Sequence, residues 1–137
     1  QRRLRLRFKG GELWRAVEGR LQSPVRKSRY VTGHLPTSEA VLAGESALAR
    51  YTMLAEPRIG CRAVPAAAWK RMARHLGLEP AWDYDEHRIE VQTWAYDPQT
   101  LSENEVADRL SLYLSTRHDP DERIVQAAEQ LLEFFEW

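Results

Sequence analysis

The sequence predicts an α+β fold: a small mixed sheet of about four strands, with flanking helices and two helices at the C-terminal end. Residues 3–9 and 88–96 alternate apolar and polar side chains with a period of two, the mark of a half-buried strand. Other stretches repeat apolar residues every three or four positions, the mark of a helix with one buried face. The two patterns take turns along the chain, and no internal repeat interrupts them. With 137 residues, one domain is expected, long enough to bury a core without disulfides or metal.

The elements follow in order. In Arg3-Leu4-Arg5-Leu6-Arg7-Phe8-Lys9, the apolar residues share one face and the basic residues the other. Gly10-Gly11 breaks this strand. Leu13, Val17 and Leu21 then predict a helix over 12–22, ended at Ser23-Pro24 because the residue before proline avoids the helical region. Arg26, Lys27 and Arg29 are expected in a loop, ahead of a short strand at 30–32 and a turn at 33–37. A helix is expected over 44–54, with Leu48, Tyr51 and Thr52 on one face. A short buried strand follows at 61–64. Pro65 opens a helix over 66–76, and Gly77 ends it.

Residues 79–86 read as acidic and irregular. In the strand over 88–96, Ile89, Val91 and Thr93 face one way, and Glu90, Gln92 and Trp94 the other; Asp97-Pro98 stops it. Ser102 and Glu105 have the spacing of a capping box ahead of Val106, Leu110, Tyr113 and Leu114. Asp119, Pro120 and Glu122 signal a last helix start, with a stripe of Ile124, Ala127, Ala128, Leu131, Leu132 and Phe135.

The zero net charge hides a strong asymmetry. Residues 1–30 hold ten Lys/Arg and two Glu, whereas 31–137 hold ten Lys/Arg and eighteen Asp/Glu. Either the two ends pair across the fold, or the basic end faces nucleic acid. The candidates for phosphate contact are Arg3, Arg5, Arg7, Lys9, Arg26, Lys27 and Arg29, since charge alone suffices for non-specific binding.

Catalytic signatures are missing from the sequence. His34, His75, His87 and His118 have no metal-ligand spacing. The single Cys61 excludes an intrachain disulfide, fits a reducing compartment, and reads as buried packing. Gly44-Glu45-Ser46-Ala47 lacks the second glycine of a nucleophile elbow, and no phosphate-binding loop is present. The one enzymatic alternative is a metal-dependent nuclease of restriction-endonuclease-like type. Asp83, Asp85 and Glu86 precede Glu90 on a strand, as such enzymes require to hold Mg²⁺, but Gln92 stands where a lysine is needed. No catalytic residue, metal ligand or cofactor is therefore expected. Trp94, Tyr96, Phe134 and Trp137 are aromatics that the stripes do not need, and they are the expected interaction surface. No run of apolar residues is long enough to span a membrane.

Gly44-Glu45-Ser46-Ala47-Leu48-Ala49-Arg50-Tyr51-Thr52-Met53-Leu54 resembles the Ser-Ala-Leu-x-x-(aromatic)-(small)-Leu helix of abortive-infection type IV antitoxins and related bacterial winged-helix regulators. Residues 108–115 and 119–132 are similar to the C-terminal part of such regulator-associated proteins. The resemblance implies an α/β domain that follows an N-terminal winged helix, and it carries no catalytic residues. The chain opens on Gln1 without a Met, so that module is expected upstream. The expected function is a non-catalytic regulatory or protein-interaction domain of a cytoplasmic transcriptional regulator or antitoxin. Its expected partners are DNA, a second copy of the chain, or a toxin protein.

Overall fold

A computed structural model describes residues 21–134. The strand expected at 3–9, most of the helix expected at 12–22, Phe135 and Trp137 lie outside the described residues. The fold is α+β, with a five-stranded mixed sheet and four α-helices among the described residues. The strands are β1 (Val25–Thr32), β2 (Val41–Leu42), β3 (Cys61–Pro65), β4 (Glu79–Pro80) and β5 (Ile89–Trp94). The helices are α1 (Gly44–Tyr51), α2 (Trp69–Leu76), α3 (Arg109–Thr116) and α4 (Glu122–Gln130).

The sheet order is β2-β3-β5-β1-β4. Only β3 and β5 pair in parallel; the other three pairs are antiparallel. The connection between the parallel strands β3 and β5 carries α2, the kind of crossover that parallel pairing requires. β5 lies at the centre and is buried on both faces along Val91, Gln92, Thr93 and Trp94. Its alternating sequence led instead to the expectation of one exposed face.

β1 corrects a second expectation. It spans eight residues, so Arg26, Lys27 and Arg29 belong to a strand and not to a loop. Lys27, Arg29 and Val31 pair with Thr93, Val91 and Ile89, and the register shifts by a bulge between Val25 and Lys27. Pairing with the central strand overrides the polar composition that suggested a loop.

α2 covers one face of the sheet. Trp69, Met72, Ala73 and Leu76 pack against a cluster of Val31, Leu35, Ala40, Val64, Leu78 and Val91. Gly77 stops the helix in the left-handed conformation (φ 70°), and the Leu78 N–H returns to the Ala73 carbonyl at 2.9 Å. On the other face, Cys61, Ala63 and Trp94 meet Val41, Ala43 and Ala107. α1, α3 and α4 form a third cluster around Leu48, Leu112, Ile124, Ala128 and Leu131.

The Ser102–Glu105 capping box does not form. Asn104 and Glu105 are left-handed (φ 54° and 65°), and residues 103–107 hook onto the edge of β2. Leu42 N–H donates to the Glu105 carbonyl, and Ala107 N–H to the Leu42 carbonyl, each at 2.9 Å. The backbone groups of the β2 edge take these partners, and the start of α3 moves to Asp108, whose carboxylate accepts from Ser111 N–H at 3.0 Å. The last helix also starts later than expected. Asp121 is its cap and accepts from Arg123 N–H at 2.9 Å, while Asp119 accepts from Asp121 N–H at 2.8 Å.

Candidate nucleic-acid interface

α2 positions the most distinctive charges of the described chain. Its apolar residues recur at 69, 72, 73 and 76 and face the sheet, which turns 70, 71, 74 and 75 to solvent. Those four outward residues are Lys70, Arg71, Arg74 and His75, all exposed. Arg74 and His75 lie in the last turn, where positive charge also favours the helix dipole.

β1 continues this surface. Lys27 and Arg29 share the sheet face that α2 covers, because they pair with Thr93 and Val91 of that face. The Arg29 guanidinium lies over the Trp69 ring, 5.2 Å from its centroid, and so joins β1 to α2. Arg26 stands at the bulge and is exposed. Arg62 is on the same face of β3 and donates to the Ala40 carbonyl at 3.2 Å.

The segments that build this face, 23–38 and 57–78, hold eight Lys/Arg and no Asp or Glu. Among the described residues, ion pairs join Arg50 to Glu56 and Arg123 to Glu45 and Asp121. Arg26, Lys27, Lys70, Arg71 and Arg74 take part in none of them. Arg3, Arg5, Arg7 and Lys9 lie outside the described residues.

The carboxylates proposed for Mg²⁺ are used differently. Asp85 accepts from Trp82 N–H at 2.7 Å and closes a turn. The Arg88 guanidinium donates to the backbone carbonyls of Asp83 and Asp85 at 2.5 and 2.8 Å. Glu90 lies on β5, where its carboxylate accepts from the Ser28 hydroxyl. No three His, Cys, Asp or Glu side chains among the described residues come close enough to share a metal ion.

Glu90 instead shapes its neighbours. Its negative charge, and then burial, push the Tyr30 hydroxyl above its usual value. Burial, and then Glu90, push the Cys61 thiol well above its usual value. Cys61 is enclosed in the core, and its backbone N–H donates to Ser46 Oγ at 2.9 Å.

The aromatic surface is redistributed. Trp94 is 0% exposed; its indole N–H donates to Gln92 Oε1 at 3.0 Å, and Tyr96 packs edge-on with centroids 5.7 Å apart. Trp94 is thus a core residue, a correction that follows from the central place of β5. Tyr96 is partly exposed, and its hydroxyl is hydrogen-bonded to Ser111. Phe134 falls in the closing 3-10 turn (Leu131–Phe134). The most exposed large aromatics among the described residues are Trp82, at 67%, and Tyr84, at 77%, ahead of Tyr30 and Tyr96. Their signal was legible as two rings in a polar, proline-flanked stretch with no stripe to join. The outward cations of α2 were legible too, as the face opposite its apolar spacing.

No protein-family model matches the chain, and no curated protein or solved structure matches it significantly. No helix among the described residues is long and apolar enough to cross a membrane.

Proposed function

We propose that this chain is a non-catalytic regulatory domain of a cytoplasmic, DNA-associated bacterial protein, of transcription-regulator or antitoxin type, and that its α2–β1 face contacts nucleic-acid phosphates. One observation carries the reading: Lys70, Arg71 and Arg74 project from one helix that covers the sheet face bearing Lys27, and among the described residues no carboxylate is paired to any of them. Unpaired cations on a rigid scaffold are what phosphate binding requires, because each contact releases a counterion condensed on the duplex. The burial of Cys61 and the structural use of Asp85 support a non-catalytic role.

The test is binding of the full chain to duplex DNA by fluorescence anisotropy at several salt concentrations. The expected dependence of log K on log salt has a slope of about −0.9 per phosphate contacted. Neutralising Lys70, Arg71 and Arg74 to Gln is expected to flatten that slope by roughly 2–3. A separate variant of Arg3, Arg5, Arg7 and Lys9 measures the share of the N-terminal cations. An unchanged slope in the α2 variant refutes the reading.

A further inference from the structure

The turn between β4 and β5 presents a second surface whose chemistry is opposite to that of the α2–β1 face. Trp82 and Tyr84 expose 67% and 77% of their surface, more than any tryptophan or tyrosine else among the described residues. Their rings are parallel, with centroids 6.4 Å apart. Neither belongs to a core cluster of the described residues.

The turn that carries them is tied down. Trp82 N–H donates to the Asp85 carboxylate at 2.7 Å, and Asp85 N–H to the Trp82 carbonyl at 3.0 Å. Arg88 clamps the carbonyls of Asp83 and Asp85 and lies over the Tyr30 ring at 5.5 Å, which fixes the turn to β1. Ala81 N–H donates to the Tyr30 carbonyl at 2.9 Å. A surface held this way loses little conformational entropy on binding.

Its charge selects the occupant. Residues 79–86 contain Glu79, Asp83, Asp85 and Glu86 and no Lys or Arg. The Asp85 carboxylate is engaged within the turn. Glu79, Asp83 and Glu86 make no ion pair among the described residues. Phosphate is repelled here. A guanidinium is favoured twice: its flat face stacks on an aromatic ring, and its edge donates to a carboxylate.

We propose that Trp82, Tyr84, Asp83 and Glu86 form a docking site for an arginine-bearing segment of a partner protein. The site is separate from the phosphate-binding face, so one domain engages an anionic and a cationic partner on different surfaces. Trp and Tyr supply the anchors, as at the centres of protein interfaces.

The experiment uses the full chain and a short Gly/Ser peptide bearing arginines, with its citrulline counterpart as the uncharged control. Binding is followed by ¹⁵N–¹H spectra, through the Trp82 indole N–H in the parent chain and through the backbone amides of residues 81–86 in the parent and every variant. The arginine peptide is expected to shift those resonances and the citrulline peptide to leave them in place. The double variant Trp82→Ala, Tyr84→Ala is expected to weaken binding about tenfold. Asp83→Asn with Glu86→Gln is expected to weaken it by a similar factor, with DNA binding through α2 unchanged in both variants. Equal binding of the two peptides overturns the proposal, as does arginine-peptide binding that survives loss of both rings. A self-associated chain in sedimentation velocity that becomes monomeric in the double variant also overturns it, because the occupant is then a second copy.

Discussion

Gly44 gives the sharpest test of the fold. It begins α1 with a positive φ of 51°, and a Cβ placed on it would lie 2.9 Å from Cys61 Sγ and 3.4 Å from both Cys61 Cβ and Gln92 Nε2. The Gly44→Ala change therefore incurs two separate costs. Holding an alanine in the left-handed region costs about 1–2 kcal/mol. Forcing a methyl against a sulfur that is 2% exposed adds about 1–3 kcal/mol, because the thiol is enclosed and has no room to move. The sum, roughly 2–5 kcal/mol, corresponds to a fall in Tm of roughly 6–20 °C. The steric part resides in one atom, so Cys61→Ala removes it. In a double-mutant cycle read by urea unfolding, Gly44→Ala is expected to cost about 1–3 kcal/mol less in the Cys61→Ala background than in the parent. Equal costs in both backgrounds would show that Gly44 and Cys61 do not meet, and would remove the contact between α1 and β3.

Two further predictions concern stability. Trp94→Ala is expected to cost about 3–5 kcal/mol, because the largest fully buried side chain is lost from the central strand; a cost below about 1 kcal/mol would place the ring at the surface. Asp108 caps α3, and burial raises its carboxyl above the ordinary value by more than Ser111 lowers it. A raised carboxyl means that the folded state prefers the protonated acid. Its contribution is greatest below the unfolded value and declines as pH rises through the raised value. Asp108→Asn keeps an acceptor for Ser111 N–H and removes the buried charge. It is expected to stabilise the protein at neutral pH and to lose that advantage on acidification, whereas Asp108→Ala loses the cap, worth about 1 kcal/mol. Unfolding curves across pH decide this, and identical behaviour of the two variants at neutral pH contradicts it.

Much of the fold was legible locally. The strand expected at 61–64 is found at Cys61–Pro65, and the one expected at 88–96 at Ile89–Trp94. Within the helix expected over 66–76, a 3-10 turn (Ala66–Ala68) precedes α2, and Gly77 ends it as expected. The stripe of Ile124, Ala127, Ala128 and Leu131 is buried. Short edge strands were less legible. β2 and β4 have two residues each, too few for any period to show. The candidate site was half legible: Lys70, Arg71 and Arg74 stood on a readable polar face, but their neighbours on β1 were assigned to a loop.

Among the described residues, what the amino-acid order determined by itself was the kind of each well-patterned segment, because helix and strand periodicity arise from side chains only a few residues apart. It also determined the split between basic and acidic segments, a matter of composition. Tertiary structure alone decided the full length of β1, the delayed start of α3, and the burial of Trp94. It also brought Arg29 onto Trp69, forty residues away. Each of these depends on a partner distant in sequence: β5 for β1, the cluster of Val41, Ala43, Cys61, Ala63 and Ala107 for Trp94, the β2 edge for residues 103–107, and the sheet face for α2. Which distant backbone or ring becomes a neighbour is settled by the pairing of the whole sheet, and no local window of residues contains that information.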